Sequence, residues 1–330
     1  MISRFFILIL LGNHAFSQEV EFPILVRSFA EVKNPMGTFT EGKFNPKNGE
    51  TISFLGGTNT FDQQRANALE ISFYLAWPER ELETRNLAWQ GDTLFKQARP
   101  RYFYTKVGDT QPGSSPDIRE RTTPGIIILN FGKMESLSGI EALPDFVAEY
   151  KTLLDLLEQK TRRLVLIGPT PFFETGPAAA LADSRNAVLE KYVIEIQKLA
   201  EERELIFVDA FAFPKSPPGK QFSTNGVHLT DVGQAAFADR VAAELKFPQL
   251  RKLDASSPIN QAVQRKNRLW QQFYHPTNWA FLFGDRQHVP ASRDHIDTAK
   301  RWFVDEVQAL PNLIAETEAD IHRYTREVAQ

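Results

Sequence analysis

The chain predicts an α/β fold, a doubly wound parallel sheet followed by a helical appendage, and three observations carry that expectation. Short apolar runs without a polar face recur along it, the clearest being Gly125-Ile126-Ile127-Ile128-Leu129-Asn130-Phe131-Gly132; a strand apolar on both faces belongs to a parallel sheet buried between two layers of helices. Segments with helical spacing follow these runs in turn, the alternation that a doubly wound sheet requires. Glycines close several runs, as in Gly56-Gly57 and Gly168-Pro169, where the chain must turn sharply from strand to helix.

Each element has its own warrant. Thr51 to Leu55 is a β-rich run, and Thr60 to Ala76 carries apolar residues at helical spacing, so the spacing predicts strand, tight turn, helix. Leu82 to Trp89 is a second strand, closed by Gly91-Asp92-Thr93; Leu94 to Tyr104 is aromatic and basic, and 108–124 is a polar loop. The central strand at 125–132 leads to a helix over 140–159, a buried strand at 163–167, a helix over 184–203 and a strand at 205–208 reaching Asp209. A helix over 230–245, capped by Thr230 or Asp231, closes the sheet domain. Ser257-Pro258 opens a helix through Tyr274, an aromatic loop spans 274–284, and helical text fills 295–328. The domain boundaries are therefore a leader at 1–17, a strand and loop extension at 18–49, the α/β domain at 50–248 and the appendage at 249–330.

Composition excludes several functions. With 330 residues, 42% hydrophobic and 24% charged, the chain can bury a large core, and a net charge of -3 draws it neither to nucleic acid nor to anionic membranes. Arg4, the apolar run Phe5 to Leu11 and Ala15-Phe16-Ser17 predict a secretory leader cleaved after Ser17, hence a periplasmic or secreted protein with no permanent membrane anchor. The absence of cysteine suits an oxidising compartment and leaves stability to packing alone. The histidines at 275, 288, 295 and 322 lack metal-ligand spacing, and Gly56-Gly57-Thr58-Asn59 is neither a dinucleotide nor a Walker fingerprint, so no cofactor or metal is expected.

The chemistry sits in two distant stretches, Phe54-Leu55-Gly56-Gly57-Thr58-Asn59 and Asn225-Gly226-Val227-His228-Leu229-Thr230. A hydroxyl on a glycine turn after one strand and an imidazole before the last sheet-domain helix are raw material for acyl transfer. In order and spacing these stretches, with Gly91 in Asn86-Leu87-Ala88-Trp89-Gln90-Gly91-Asp92-Thr93 and with Gly132-Lys133-Met134-Glu135, resemble the SGNH (GDSL-type) hydrolases. The text Asn-Leu-x-Trp-x-Gly-Asp-Thr, Lys266-Asn267-Arg268-Leu269 and Phe281-Leu282-Phe283-Gly284 is similar to exported SGNH-type proteins of planctomycete and verrucomicrobial bacteria. The resemblance implies a flavodoxin-like sheet with Thr58 as nucleophile, His228 as base, Asn225 orienting it, and Gly91 with the Thr58 amide as oxyanion donors. Asn59, Gly132, Met134 and Glu135 would line the substrate.

Three of the four blocks depart from the family pattern. Thr58 replaces serine and adds a methyl that restricts χ1. Met134 replaces an asparagine donor, whose loss from an oxyanion hole costs roughly 100 to 1000-fold in turnover. Asn225 replaces the aspartate that orients the imidazole, a change worth about 10⁴-fold in a serine protease. Two expectations stand side by side: an ester hydrolase acting on acyl or acetyl esters, carbohydrate esters among them, or a catalytically impaired fold that binds glycans or a partner protein. The aromatics Trp270, Tyr274, Trp279, Phe281 and Phe283 offer either sugar stacking or glue between tail and sheet. Asp92 and Thr93 read as a helix N-cap or as polar groups beside the first turn, and Asp209 as a cap or a cleft residue.

Overall fold

The computed structural model describes residues 36–95, 125–215, 221–248, 256–274, 276–282 and 286–330. The leader, residues 18–35 of the strand and loop extension, most of the aromatic and basic stretch, the 108–124 loop and Phe283 lie outside them.

Five strands form one all-parallel sheet in the order β2-β1-β3-β4-β5. They are β1 (Thr51–Gly56), β2 (Glu83–Asn86), β3 (Ile126–Asn130), β4 (Leu164–Ile167) and β5 (Ile206–Val208). This is the doubly wound sheet that the apolar strands and intervening helices predict, in the flavodoxin-like order that the resemblance implies. Alternation within the strands feeds two cores. Ile52, Phe54, Ile126, Ile128, Val165 and Ile167 join one cluster; Leu55, Ile127, Leu129, Leu164 and Leu166 join the other. Helices α1 (Thr58–Ala66), α2 (Ala68–Ala76) and α5 (Asp231–Glu244) lie on the first side, and α3 (Leu143–Glu158) and α4 (Ala182–Glu202) on the second.

The single helix expected over 60–76 is two helices. Asn67 breaks it in the left-handed region, with φ 57°, a conformation that asparagine tolerates better than most residues. Its side-chain amide donates to Asn260 Oδ1 (3.2 Å), and its Oδ1 accepts from Asn267 Nδ2 (3.0 Å). The break thus serves the docking of α6 (Pro258–Tyr274), a tertiary demand that local periodicity does not encode. Thr230 caps α5 as expected, its hydroxyl accepting the Gly233 N–H at 3.1 Å.

The appendage comprises α6, the short α7 (Trp279–Leu282) and α8 (Trp302–Ala329). It covers the open edge of β2, where Trp270 Nε1 donates to Asn86 O (2.6 Å) and His322 Nε2 meets Leu82 O (2.8 Å). An uncovered edge would invite pairing with another chain. Below that edge Arg85 pairs with Glu318 and Lys266 with Glu70, all of them buried. Trp270 and Tyr274 stack at 5.3 Å and are 4% and 1% exposed. Of the two roles open to these rings, joining tail to sheet is the one they perform.

Candidate functional site

Five loops leave the carboxyl edge of the sheet and line a cleft open to solvent. The first follows β1, where Gly57, Thr58 and Asn59 line the wall. Gly57 is the N-cap of α1 without a side-chain cap bond, so the first helical amides have no intrahelical acceptor and lie at the cleft. A Cβ at Gly57 would sit 2.8 Å from the Asp92 carbonyl oxygen. A side chain at this position would force the second loop to shift.

The second loop brings Gly91, with φ 69°, against Thr58: its N–H donates to Thr58 Oγ1 at 2.9 Å. Asp92 is buried on the cleft wall, and Thr93 Oγ1 accepts the Phe95 N–H at 3.2 Å. The third loop, after β3, is held by Glu135, whose carboxylate accepts from Gly132 N (2.9 Å) and Leu94 N (3.0 Å). Glu135 therefore ties the second loop to the third, and burial raises its pKa against the pull of those amides. Met134 lines the cleft with a thioether, which donates no hydrogen bond.

Lys133, between Gly132 and Met134, is 7% exposed. Its Nζ donates to Val227 O (2.8 Å), Pro171 O (2.9 Å) and Thr170 Oγ1 (3.3 Å), joining the third, fourth and fifth loops. Burial lowers its pKa to about 7.

The fifth loop carries the imidazole. Gly226, at φ 81°, lies where a Cβ would meet Ala178 Cβ at 2.6 Å and Thr175 O at 2.7 Å, so only glycine fits. Asn225 Oδ1 accepts the backbone N–H of Val227 and of His228, each at 2.9 Å. Backbone amides can only donate, so this side-chain oxygen must face them and the amide nitrogen must face the ring. Asn225 Nδ2 lies 3.2 Å from His228 Nδ1. Nδ1 is therefore the acceptor, and the neutral ring carries its proton on Nε2. A general base facing Thr58 needs the opposite tautomer.

Asn59 fastens the two ends of the site together. Its Oδ1 accepts from Leu229 N (2.9 Å), and its Nδ2 reaches Val227 O (3.5 Å). Burial and the Lys133 charge lower the His228 pKa, while Asp62 opposes them. Asp62, whose pKa is itself raised by burial, stands one turn after Thr58 on the same face of α1. That i, i+4 spacing from Thr58 is visible in the sequence.

Thr58, Asn59, Gly132, Met134, Glu135 and His228 all line the one cleft, with Gly91 bonded to Thr58 and Asn225 to His228. Among the described residues no hydrogen bond joins Thr58 to His228. Asp209 is committed elsewhere, its Oδ1 accepting from Phe211 N (3.0 Å) and Ala212 N (3.2 Å). Among the described residues there is no cluster of His, Cys, Asp and Glu that could hold a metal, and no helix long and apolar enough to cross a membrane.

No protein-family model and no curated protein matches this chain in sequence. Among solved structures, an acetylxylan esterase from Geobacillus stearothermophilus aligns at 16% identity over 62% of this chain and 98% of its own, with a TM-score of 0.47. The acetyl xylan esterase AlAXEase aligns at 16% identity over 58% of this chain and 98% of its own, TM-score 0.45. A gut microbial diltiazem-metabolizing enzyme aligns at 19% identity over 62% of this chain and 48% of its own, TM-score 0.44.

Proposed function

We propose that this chain is an SGNH-type ester hydrolase of low turnover, exported by its leader and acting on acyl or acetyl esters, carbohydrate esters among them. The observation that carries this reading is the convergence of Thr58, the Gly91 amide, Gly132 to Glu135 and His228 on one cleft from loops that are far apart in sequence. Thr58 Oγ1 attacks the acyl carbon, and the Thr58 amide and the Gly91 N–H, released from its ground-state bond to the hydroxyl, face the oxygen that gains charge. His228 takes the Thr58 proton and returns it to the leaving alcohol; water then hydrolyses the acyl-enzyme.

The tautomer limits the rate. To free Nε2, the Asn225 amide must rotate and give up two backbone bonds to Oδ1, at a cost of about 0.5 to 1.5 kcal/mol each. Only a minor population is competent at any moment. The same observation favours a second reading, a cleft that binds an ester or glycan without efficient turnover.

Hydrolysis of p-nitrophenyl acetate and of acetylated xylo-oligosaccharides by wild type, Thr58→Ala, Thr58→Ser and His228→Ala separates the two. A hydrolase loses activity in both alanine variants and keeps or gains it in the serine variant. Glycan binding with no turnover in any of them supports the second reading. N-terminal sequencing of the secreted protein tests cleavage after Ser17.

A further inference from the structure

The ester-hydrolysis reading gives Lys133 no task. Four cationic side chains are more than nine-tenths buried among the described residues: Arg85, Arg163, Lys266 and Lys133. Three of them meet carboxylates, Arg85 with Glu318, Arg163 with Glu50 at 2.6 Å and Lys266 with Glu70. Lys133 alone has no ion pair among the described residues; its ammonium touches the oxygens of Val227, Pro171 and Thr170, all neutral. The rings of Phe172 and Phe173, at 5.1 and 5.2 Å, compensate it in part. A buried charge is ordinarily paired, and this one sits on the wall of a cleft open to ligand.

The surroundings say what would pair with it. Glu135, two residues on, spends its carboxylate on the Gly132 and Leu94 amides. His228, next to the Val227 whose carbonyl accepts from Lys133, carries an Nε2–H, a second donor, by virtue of Asn225. The uncapped start of α1 adds amides to the same wall. Of the three bonds made by Nζ, that to Thr170 Oγ1 is the longest, at 3.3 Å, and both Lys133 and Thr170 line the cleft. An anionic oxygen entering there displaces a weak neutral acceptor.

We propose that Lys133 is the anion-binding residue of this cleft and that the ligand it selects is a small carboxylate. In ester hydrolysis, on which this inference builds, that carboxylate is the acid product. The same ammonium then supplies positive charge beside Met134, where the side-chain donor is missing.

Acetate is the probe, titrated into the mature protein and followed by NMR shifts of the cleft amides at about pH 6.5. There Lys133 is mainly an ammonium and burial keeps His228 mainly neutral. The wild type is expected to bind acetate saturably in the cleft, Lys133→Arg to stay within about threefold, and Lys133→Met to weaken by about tenfold or more, the worth of one charge-assisted hydrogen bond. Thr170→Val removes only the competing hydroxyl and should tighten acetate, which keeps the test decisive if Lys133→Met fails to fold. Equal acetate affinity in wild type, Lys133→Met and Thr170→Val, or no saturable shift in wild type, overturns the proposal. Acetate binding that depends on Lys133 in a protein with no esterase turnover removes the hydrolase reading alone. Turnover without acetate binding removes the role of Lys133 alone.

Discussion

Replacing Asn225 by aspartate should convert the site. Asn225 is exposed, so a carboxylate there is solvated and carries little folding cost. One oxygen can keep the bonds from the Val227 and His228 amides, while the other replaces the Nδ2 that now meets His228 Nδ1 at 3.2 Å. Nδ1 must then carry the proton, Nε2 becomes an acceptor toward the cleft, and the new charge stabilises imidazolium. The reverse change in a serine protease costs about 10⁴-fold. Under the proposed hydrolase reading Met134 supplies no oxyanion donor, a loss worth roughly 100 to 1000-fold, so the gain starts from a low base and does not reach a fully equipped site. The expected increase in kcat on p-nitrophenyl acetate is about 10² to 10⁴-fold, equivalent to about 2.7 to 5.4 kcal/mol of barrier. The pH profile should show an acid limb belonging to His228. A folded Asn225→Asp variant with the wild-type rate refutes the tautomer argument. A gain that survives the further change His228→Ala refutes it equally.

Other substitutions probe the supports of the site. Glu135→Ala leaves the Gly132 and Leu94 amides without their acceptor and is expected to lower stability by about 2 to 4 kcal/mol in urea titration. Gly226→Ala drives a methyl into Ala178 and Thr175 at a positive φ; a loss of at least about 2 kcal/mol and disordered His228 resonances are expected. Glu318→Ala removes the buried partner of Arg85 and leaves it the more exposed Glu83 at 3.1 Å; it should cost about 1.5 to 3 kcal/mol in chemical denaturation, without changing the tautomer of His228 by NMR. Lys133 titrates at about 7 when folded and at 10.5 ordinarily. Between those values the unfolded chain holds a proton that the folded chain lacks, so stability rises with pH across that window. Thermal melts should therefore show the wild type gaining on Lys133→Met between about pH 7 and 10; parallel curves would contradict the burial of an unpaired ammonium.

Much of the fold was legible because it rests on local pattern. Ile126 to Leu129 are apolar without interruption, which only a strand covered on both faces tolerates. The Thr230 hydroxyl three residues before Gly233 is a capping signal readable without coordinates. The Asn67 break was not legible, since residues 60–76 keep helical spacing across it and the partners that hold Asn67 open, Asn260 and Asn267, lie nearly two hundred residues away. The site divides in the same way. Thr58, Gly91 and His228 stand out by motif, whereas Lys133 and Asp62 look like ordinary charged residues until the loops that surround them are assembled.

The amino-acid order alone determines that strands and helices alternate, where the glycine turns fall, and that a hydroxyl and an imidazole end up at the carboxyl edge of the sheet. Periodicity and turn chemistry act over a few residues and survive in the one-dimensional text. Only the tertiary structure decides which atom of Asn225 faces the ring, that Lys133 is buried with no counter-charge among the described residues, and that α6 and α8 close the β2 edge. Those outcomes depend on backbone amides and carboxylates brought together from distant loops, and on the water they exclude when they meet.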